Sequence, residues 1–315
     1  MLEVFLYSCV TKLSKIKGIL SIYVFLCYNL CMYDIRLAPM AGITDIHFRN
    51  LTRALGFSGK LYTEMTSCMA LQYNNQKTLD MLKIEEQELP LDLQIFGHDT
   101  KIMANGAKKA LDYIKNNSGE YIAKNIGINI NMGCPAKKIL KNGDGGTLLK
   151  DLDNAYKIYE TVQNSISNHV SIKTRLGYDT DISNEIINKF NSTEIIMHGR
   201  LVIEEYRGKA RLDHLSNVIY NGDIKTMEQV AKYKKVAIGR AVLGHPELLA
   251  KLEGKEVTLN ENEILKLQLD LIKKYYGNSR IGFNLTKKHL LYTLKKEKHI
   301  EVVVAKNIAE LENLL

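Results

Sequence analysis

The chain has 315 residues, 45% of them apolar and 25% charged, with a formal net charge of +8. That balance belongs to a folded protein with a substantial core, and it excludes a disordered, collagen-like or disulfide-stapled chain. The basic surplus is spread along the sequence and not gathered in a tail, which points to a folded positive face and a polyanionic partner, although solubility alone accounts for a moderate excess.

Residues 1–31 are apolar and basic, and the charge-free run Ile19 to Leu30 is shorter than the roughly 20 residues a membrane span needs. Lys12, Lys15 and Lys17 would suit the charged region of a signal peptide, but no small-residue cleavage site follows. The expectation is that translation begins at Met32 and that 1–31 is a mis-assigned extension, with a peripheral helix as the alternative. The five cysteines are Cys9, Cys27, Cys31, Cys68 and Cys134, with no CxxC pair and no Cys/His spacing that suits zinc. A reducing, cytoplasmic location is expected, with no metal and no membrane.

From residue 35 onward, short apolar runs alternate with helical patterns. The predicted strands are Ile35–Ala38, Leu61–Thr63, Leu91–Phe96, Ile126–Ile130, Val170–Lys173, Glu194–Met197, Asn217–Tyr220 and Val236–Ile238. Between them the periodicity predicts helices over Asp45–Leu55, Lys101–Lys115, Leu152–Gln163, Asn184–Phe190 and Thr226–Lys234. Strands alternating with helices imply parallel pairing, and eight such units imply an α/β fold of the (β/α)8 TIM-barrel kind. One crossover is cramped: Met197 to Asn217 leaves room for only a short helix near Leu212. After Ala241 the pattern is helical alone, with segments Glu261–Tyr276, Thr286–Glu297 and Ala305–Leu315. The expected organisation is an extension (1–31), a barrel (32–245) and a smaller helical domain (246–315).

Active sites of such barrels sit at the C-terminal strand ends. There the sequence places Pro39, Met40 and Ala41; Gln94; Asn131 and Cys134; Lys173 and Arg175; His198; Asn221, Gly222 and Asp223; and Gly239 and Arg240. Each has an ordinary structural reading. Cys134 would fill a turn, Lys173 would reach the surface, His198 would be a satisfied core histidine, Gln94 would cap a loop, and the glycines would only make turns. A cation, an imidazole, two amides and a thiol on one rim favour a site instead. Glycines after the last two strands, followed by Arg240, suit a phosphate, and hence a phosphorylated cofactor.

The motifs that flank these positions carry a resemblance. Leu37-Ala38-Pro39-Met40-Ala41-Gly42-Ile43-Thr44-Asp45 with Phe48-Arg49, then Thr63-Glu64-Met65, Gln94 to Gly97, and Asn129 to Pro135 with Lys138 resemble the tRNA-dihydrouridine synthase family. Lys173 to Gly177, His198-Gly199-Arg200, Tyr206 to Ala210, Asn221 to Ile224 and Ile238 to Arg240 follow in the family's order. The likeness spans about 33–250, with a weaker echo at Lys288-His289. It implies that FMN is held by Pro39, Met40, Ala41, Gln94, Lys173, His198, Asn221, Gly222, Asp223, Gly239 and Arg240. It further implies that Cys134 is the proton donor and that Asn131, Arg175 and Tyr206 contact the substrate uridine. The implied reaction is NADPH-dependent reduction of tRNA uridines to 5,6-dihydrouridine, with hydride passing from FMN N5 to uracil C6 and a proton from Cys134 to C5.

The residue types agree with that chemistry. A thiol of pKa about 8.5 is mostly protonated near neutral pH and can donate. A uridine in folded tRNA must be extruded, at about a few kcal/mol, to reach a barrel rim. Phosphate contacts by the positive surface would supply that energy, helped by the helical domain, and a monomer is expected. Two alternatives stay open: an FMN-dependent dihydropyrimidine or dihydroorotate oxidoreductase acting on a free base, and a catalytically silent RNA-binding barrel. The segment Ala210–Val218 is shorter than the family's usual helix. Gly143-Asp144-Gly145-Gly146 carries an acid where small residues are usual, and reads as a turn opening the next helix.

Overall fold

The computed structural model describes residues 33–314, so the expectations for 1–31 lie outside the described residues. Nine parallel strands form one sheet: β1 (Asp34–Leu37), β2 (Leu61–Tyr62), β3 (Thr66–Ser67), β4 (Leu91–Phe96), β5 (Gly127–Met132), β6 (Val170–Arg175), β7 (Ile195–His198), β8 (Ile219–Asn221) and β9 (Lys235–Ile238). The order is β1-β9-β8-β7-β6-β5-β4-β2, and β3 also pairs with β4. β2 and β3 are thus two halves of one interrupted stave, which leaves eight staves. The Leu37 amide donates to the Lys60 carbonyl at 3.0 Å and closes the sheet between β1 and β2. The result is the expected TIM barrel, with every predicted strand present within about two residues.

The helices begin where the sequence offers caps. Asp45 accepts from the Phe48 amide and opens α1 (Ile46–Ala54), and Asp99 caps α2 (Thr100–Ser118). α3 (Leu152–Gln163), α4 (Ser183–Lys189) and α5 (Met227–Tyr233) complete the crossovers predicted from periodicity. The crossover between β7 and β8 differs from expectation. No helix forms near Leu212, and residues 199–218 run as turns and loop. Only Val202, Leu212, Leu215 and Val218 are buried apolar side chains between β7 and β8, too few for a helical face.

Strand alternation sorts the core. Leu91, Leu93, Ile95, Ile128, Ile130, Val170 and Ile172 pack outward in the main hydrophobic cluster. Inside the barrel lie a small apolar group, Ala38, Tyr62, Ile196, Ile219 and Ala237, and a row of polar side chains described below.

After the barrel, α6 (Leu248–Leu252) packs on the main core. α7 (Glu261–Tyr276), α8 (Arg280–Thr293), α9 (His299–Val304) and α10 (Ile308–Glu312) enclose a second cluster of Leu265, Leu269, Ile272, Leu285, Leu290, Val302, Ala305 and Leu311. α8 thus starts six residues before the predicted Thr286; the last predicted helix, Ala305–Leu315, is present as α10 alone, and α9 was not predicted. Ser279 supplies the earlier cap, accepting from the Gly282 amide.

Candidate active site

A cavity of about 950 Å³ opens at the C-terminal ends of the strands. All fifteen residues singled out above line it: Pro39, Met40, Ala41, Gln94, Asn131, Cys134, Lys173, Arg175, His198, Tyr206, Asn221, Gly222, Asp223, Gly239 and Arg240. Strand register explains the convergence. Asn131 stands beside Lys173, Arg175 beside His198, and His198 beside Asn221 on successive parallel strands. Residues far apart in sequence therefore occupy one layer of the barrel mouth.

Cys134 sits half-buried on the loop after β5. The Asn131 side-chain oxygen accepts from the amides of Gly133 (3.2 Å) and Cys134 (2.9 Å), so the loop is folded back on its own strand end. From the other side, the Gly146 amide donates to the Cys134 carbonyl at 3.1 Å. Gly145 has φ +59°, and an added Cβ would lie 3.0 Å from the Cys134 Cβ and 2.9 Å from Ile139 Cγ2. The Gly143–Gly146 turn is therefore a brace for the cysteine loop. Burial pushes the Cys134 thiol up; the Ala136 amide and the charges of Lys173 and Arg175 oppose this without reversing it. The sulfur is a neutral thiol at physiological pH.

Asn131 is itself held. Its amide donates to Gln94 Oε1 (3.0 Å), Gln94 donates to Asn129 Oδ1 (2.7 Å), Asn129 to Ser171 Oγ (2.9 Å), and Ser171 to Asp92 (3.2 Å). This chain runs down the barrel interior to the floor. There Lys60 lies 3.4 Å from Asp92, and Arg36 bonds Asp34, Glu194 and the Tyr62 hydroxyl. Gln94 is thus no loop cap: each end of its amide is engaged by a neighbouring strand.

His198 and Lys173 face the cavity without hydrogen-bond or ion-pair partners among the described residues. The Nδ1 of His198 is buried and unbonded among the described residues. Burial, then the charges of Lys173, Arg175, Arg200 and Arg240, push its pKa far down, so the ring is neutral. Lys173 is half-buried, and burial followed by Arg175 brings its ammonium down to about 7. Both readings that made these residues ordinary structure fail: the histidine is unsatisfied, and the lysine lines the mouth. Gly222 has φ +117°, and a Cβ there would meet Ala210 Cβ at 2.8 Å and His198 Nε2 at 3.4 Å. At Gly239 an added Cβ would fit in ordinary contact with Met40 Sδ at 3.7 Å and Ala38 Cβ at 3.8 Å.

The helix-free crossover forms one wall. Arg175 donates to the carbonyls of Gly133 (3.0 Å), Leu201 (2.8 Å) and Glu205 (2.6 Å). Arg200 donates to Arg207 (3.0 Å) and Gly208 (2.6 Å) and pairs with Asp223 at 2.6 Å. The Asp223 carboxylate also accepts from the Ala210 amide at 2.9 Å. These bonds hold Tyr206 over the cavity, its ring 5.4 Å from the Arg175 guanidinium and 4.5 Å from that of Arg240. Sequence reasoning assigned no role to Arg200, Asn129 or Tyr292. The first two were legible only as members of motifs, and Tyr292 has no signal without the fold.

A profile of the dihydrouridine synthase (Dus) family matches residues 36–312. The chain belongs to the dihydrouridine synthase family. Among curated relatives it is 32% identical over 283 residues to a tRNA-dihydrouridine synthase B of Pseudomonas syringae pv. tomato, covering 81% of this chain and 80% of that one. It is 29% identical over 287 residues to a tRNA-dihydrouridine synthase B of Vibrio cholerae serotype O1, covering 82% and 85%. A probable tRNA-dihydrouridine synthase of Rickettsia bellii is 29% identical over 286 residues, covering 82% and 84%. The matched region runs through the barrel and on into α7–α10, so the likeness extends beyond the span read from the motifs.

Proposed function

We propose that this chain reduces uridines in tRNA to 5,6-dihydrouridine, with FMN as bound cofactor and NADPH as reductant, in the cytoplasm and as a monomer. The observation that carries the reading is the convergence on one cavity of a neutral thiol with an amine and a buried imidazole that have no partners among the described residues. The residues fit a phosphorylated flavin. The cavity-lining Gly239, the Gly222 turn and the half-exposed Arg240 suit its phosphate. Lys173 and the orphaned His198 nitrogen suit the polar edge of its ring. Pro39, Met40, Ala41, Gln94 and Asn221 form the adjacent wall, and Asp223 fixes Arg240 from 3.5 Å. When bound, FMN would supply the hydride that goes to uracil C6.

The remaining work falls to side chains of this chain. Cys134 holds a proton on sulfur and delivers it to C5, a role that its raised pKa keeps available at neutral pH. Asn131 fixes the loop that aims the sulfur. Arg175 ties the cysteine loop to the Tyr206 loop, so that one guanidinium sets both sides of the space for an extruded pyrimidine. The surplus of positive charge and the α7–α10 unit would grip the RNA through phosphates, with affinity that falls steeply with salt.

Purified protein tests the reading. A flavin absorption spectrum excludes a silent RNA-binding barrel. Reoxidation of the reduced flavin by unmodified tRNA, and not by free uracil or orotate, selects tRNA reduction over a free-base oxidoreductase. Cys134→Ala is expected to keep its flavin and to lose most turnover, on the order of 10²-fold or more; turnover equal to that of the unaltered protein contradicts the proton-donor role.

A further inference from the structure

The cavity is not built by the barrel alone. Tyr292, in the last turn of α8, lines it together with the strand ends. Its backbone is pinned on two sides. One turn earlier on the same helix, Lys288 donates from Nζ to the Gly42 carbonyl at 2.7 Å, and Glu64 accepts from the Gly42 amide, so the loop after β1 is clamped to α8. At the helix end, Gly244, with φ +80°, approaches so closely that an added Cβ would lie 2.5 Å from the Tyr292 carbonyl. The side chain by contrast is 45% exposed. Its ring neighbour is His289, edge-on at 6.4 Å, and no cation lies over it among the described residues. Tyr206, the other exposed tyrosine of the cavity, is by contrast engaged by two guanidinium groups, those of Arg175 and Arg240.

A large aromatic side chain held by a rigid backbone and left open on a cavity wall is a contact surface and not a packing element. We infer that Tyr292 is a substrate contact, its ring a stacking platform for a tRNA base next to the extruded uridine. The inference rests on the tRNA-reducing reading above and adds a residue, supplied by the helical unit, to the substrate site. Single-stranded bases stack on aromatic side chains with little sequence preference, and an extruded nucleotide leaves a neighbour that has lost one stacking partner. The flat ring of a nicotinamide dinucleotide offers the same chemistry, so the two half-reactions are measured separately.

The experiment uses the flavin-loaded holoenzyme with Tyr292→Ala and Tyr292→Phe, unmodified tRNA as oxidant and NADPH as reductant. Tyr292→Ala is expected to raise the tRNA concentration for half-maximal reoxidation about tenfold, to leave the saturating rate within about twofold as loss of uniform binding requires, and to leave reduction by NADPH unchanged. Tyr292→Phe should restore most of the lost affinity, because the ring and not the hydroxyl makes the contact. An unchanged tRNA dependence in the alanine variant overturns the inference. So does an equal defect in the phenylalanine variant, a slowed NADPH half-reaction, or loss of flavin, which would mark a structural role. If tRNA fails to reoxidise the unaltered holoenzyme, the tRNA reading itself falls and takes this contact with it.

Discussion

At Lys173 the low dielectric of the barrel mouth and the guanidinium of Arg175 act in one direction, and together they bring the ammonium down to about 7. An electron-rich or anionic ligand at that position favours the charged form and raises the pKa again. Binding above pH 7 must then take up a proton, so affinity falls as pH rises, by at most about tenfold per unit, and levels off below about pH 6 where the lysine is already charged. FMN titrated into apoprotein between pH 6 and 9, followed by quenching of flavin fluorescence, should show this slope, and Lys173→Met should flatten it. A slope of opposite sign would remove Lys173 from the flavin site. The position of Lys173 was readable in the sequence because it closes a short β-rich run. Its partner-free state was not, since the absence of a carboxylate depends on which strands the barrel sets beside it. The same holds for Gln94: the residue was legible as a strand-end amide, but the Asn131-Gln94-Asn129-Ser171-Asp92 chain exists only through the register of β4, β5 and β6.

The elements were legible to different degrees for a physical reason. Strands buried on both faces read as apolar runs bounded by Gly, Pro and polar residues, and all eight staves follow from them. The β7–β8 crossover carries no such pattern, because it is held by arginines and carbonyls instead of an apolar stripe. Arg200 is the centre of that arrangement: nearly fully buried, it ties Arg207 and Gly208 to Asp223 across two loops. Arg200→Met keeps the volume and removes these bonds. Hydrogen bonds to a charged group contribute about 1.5–3 kcal/mol, so the variant should lose about 2 kcal/mol in urea unfolding. It should also bind tRNA more weakly, because Tyr206 is released from its place. Unchanged stability together with unchanged tRNA affinity would show that the loop holds its shape without Arg200.

On the scale of the whole molecule the described residues hold two large hydrophobic clusters, one around the barrel and one within α7–α10, besides the small group inside the barrel. Ile264, Leu267 and Leu271 of α7 pack on the main cluster, and polar bonds and one ring stack add to that apolar contact. The Tyr276 hydroxyl donates to Asp45 at 2.7 Å, Lys274 and Tyr275 bond Glu85, Lys288 holds Gly42, and His289 stacks on Phe48 with centroids 5.7 Å apart. Asp45 shows how strongly this junction is polarised. Burial alone would raise its carboxyl, but the adjacent His47 ring and the hydrogen bond from the Tyr276 hydroxyl outweigh burial and hold it at about 2. No periodicity in the sequence encodes such a junction, which is why α8 was legible as a helix and Tyr292 was not legible as part of the site. The two clusters unfold as one only while the junction holds. Tyr276→Phe removes a hydrogen bond to a buried carboxylate, at about 1.5–3 kcal/mol, without touching the apolar packing of either cluster. Amide hydrogen exchange should then show α7–α10 opening at lower denaturant while β4–β6 keep their midpoint, and probes of the two regions should cease to coincide. If both regions shift together by the same amount, the hydroxyl contributes to one cooperative unit and the junction is not the weak plane.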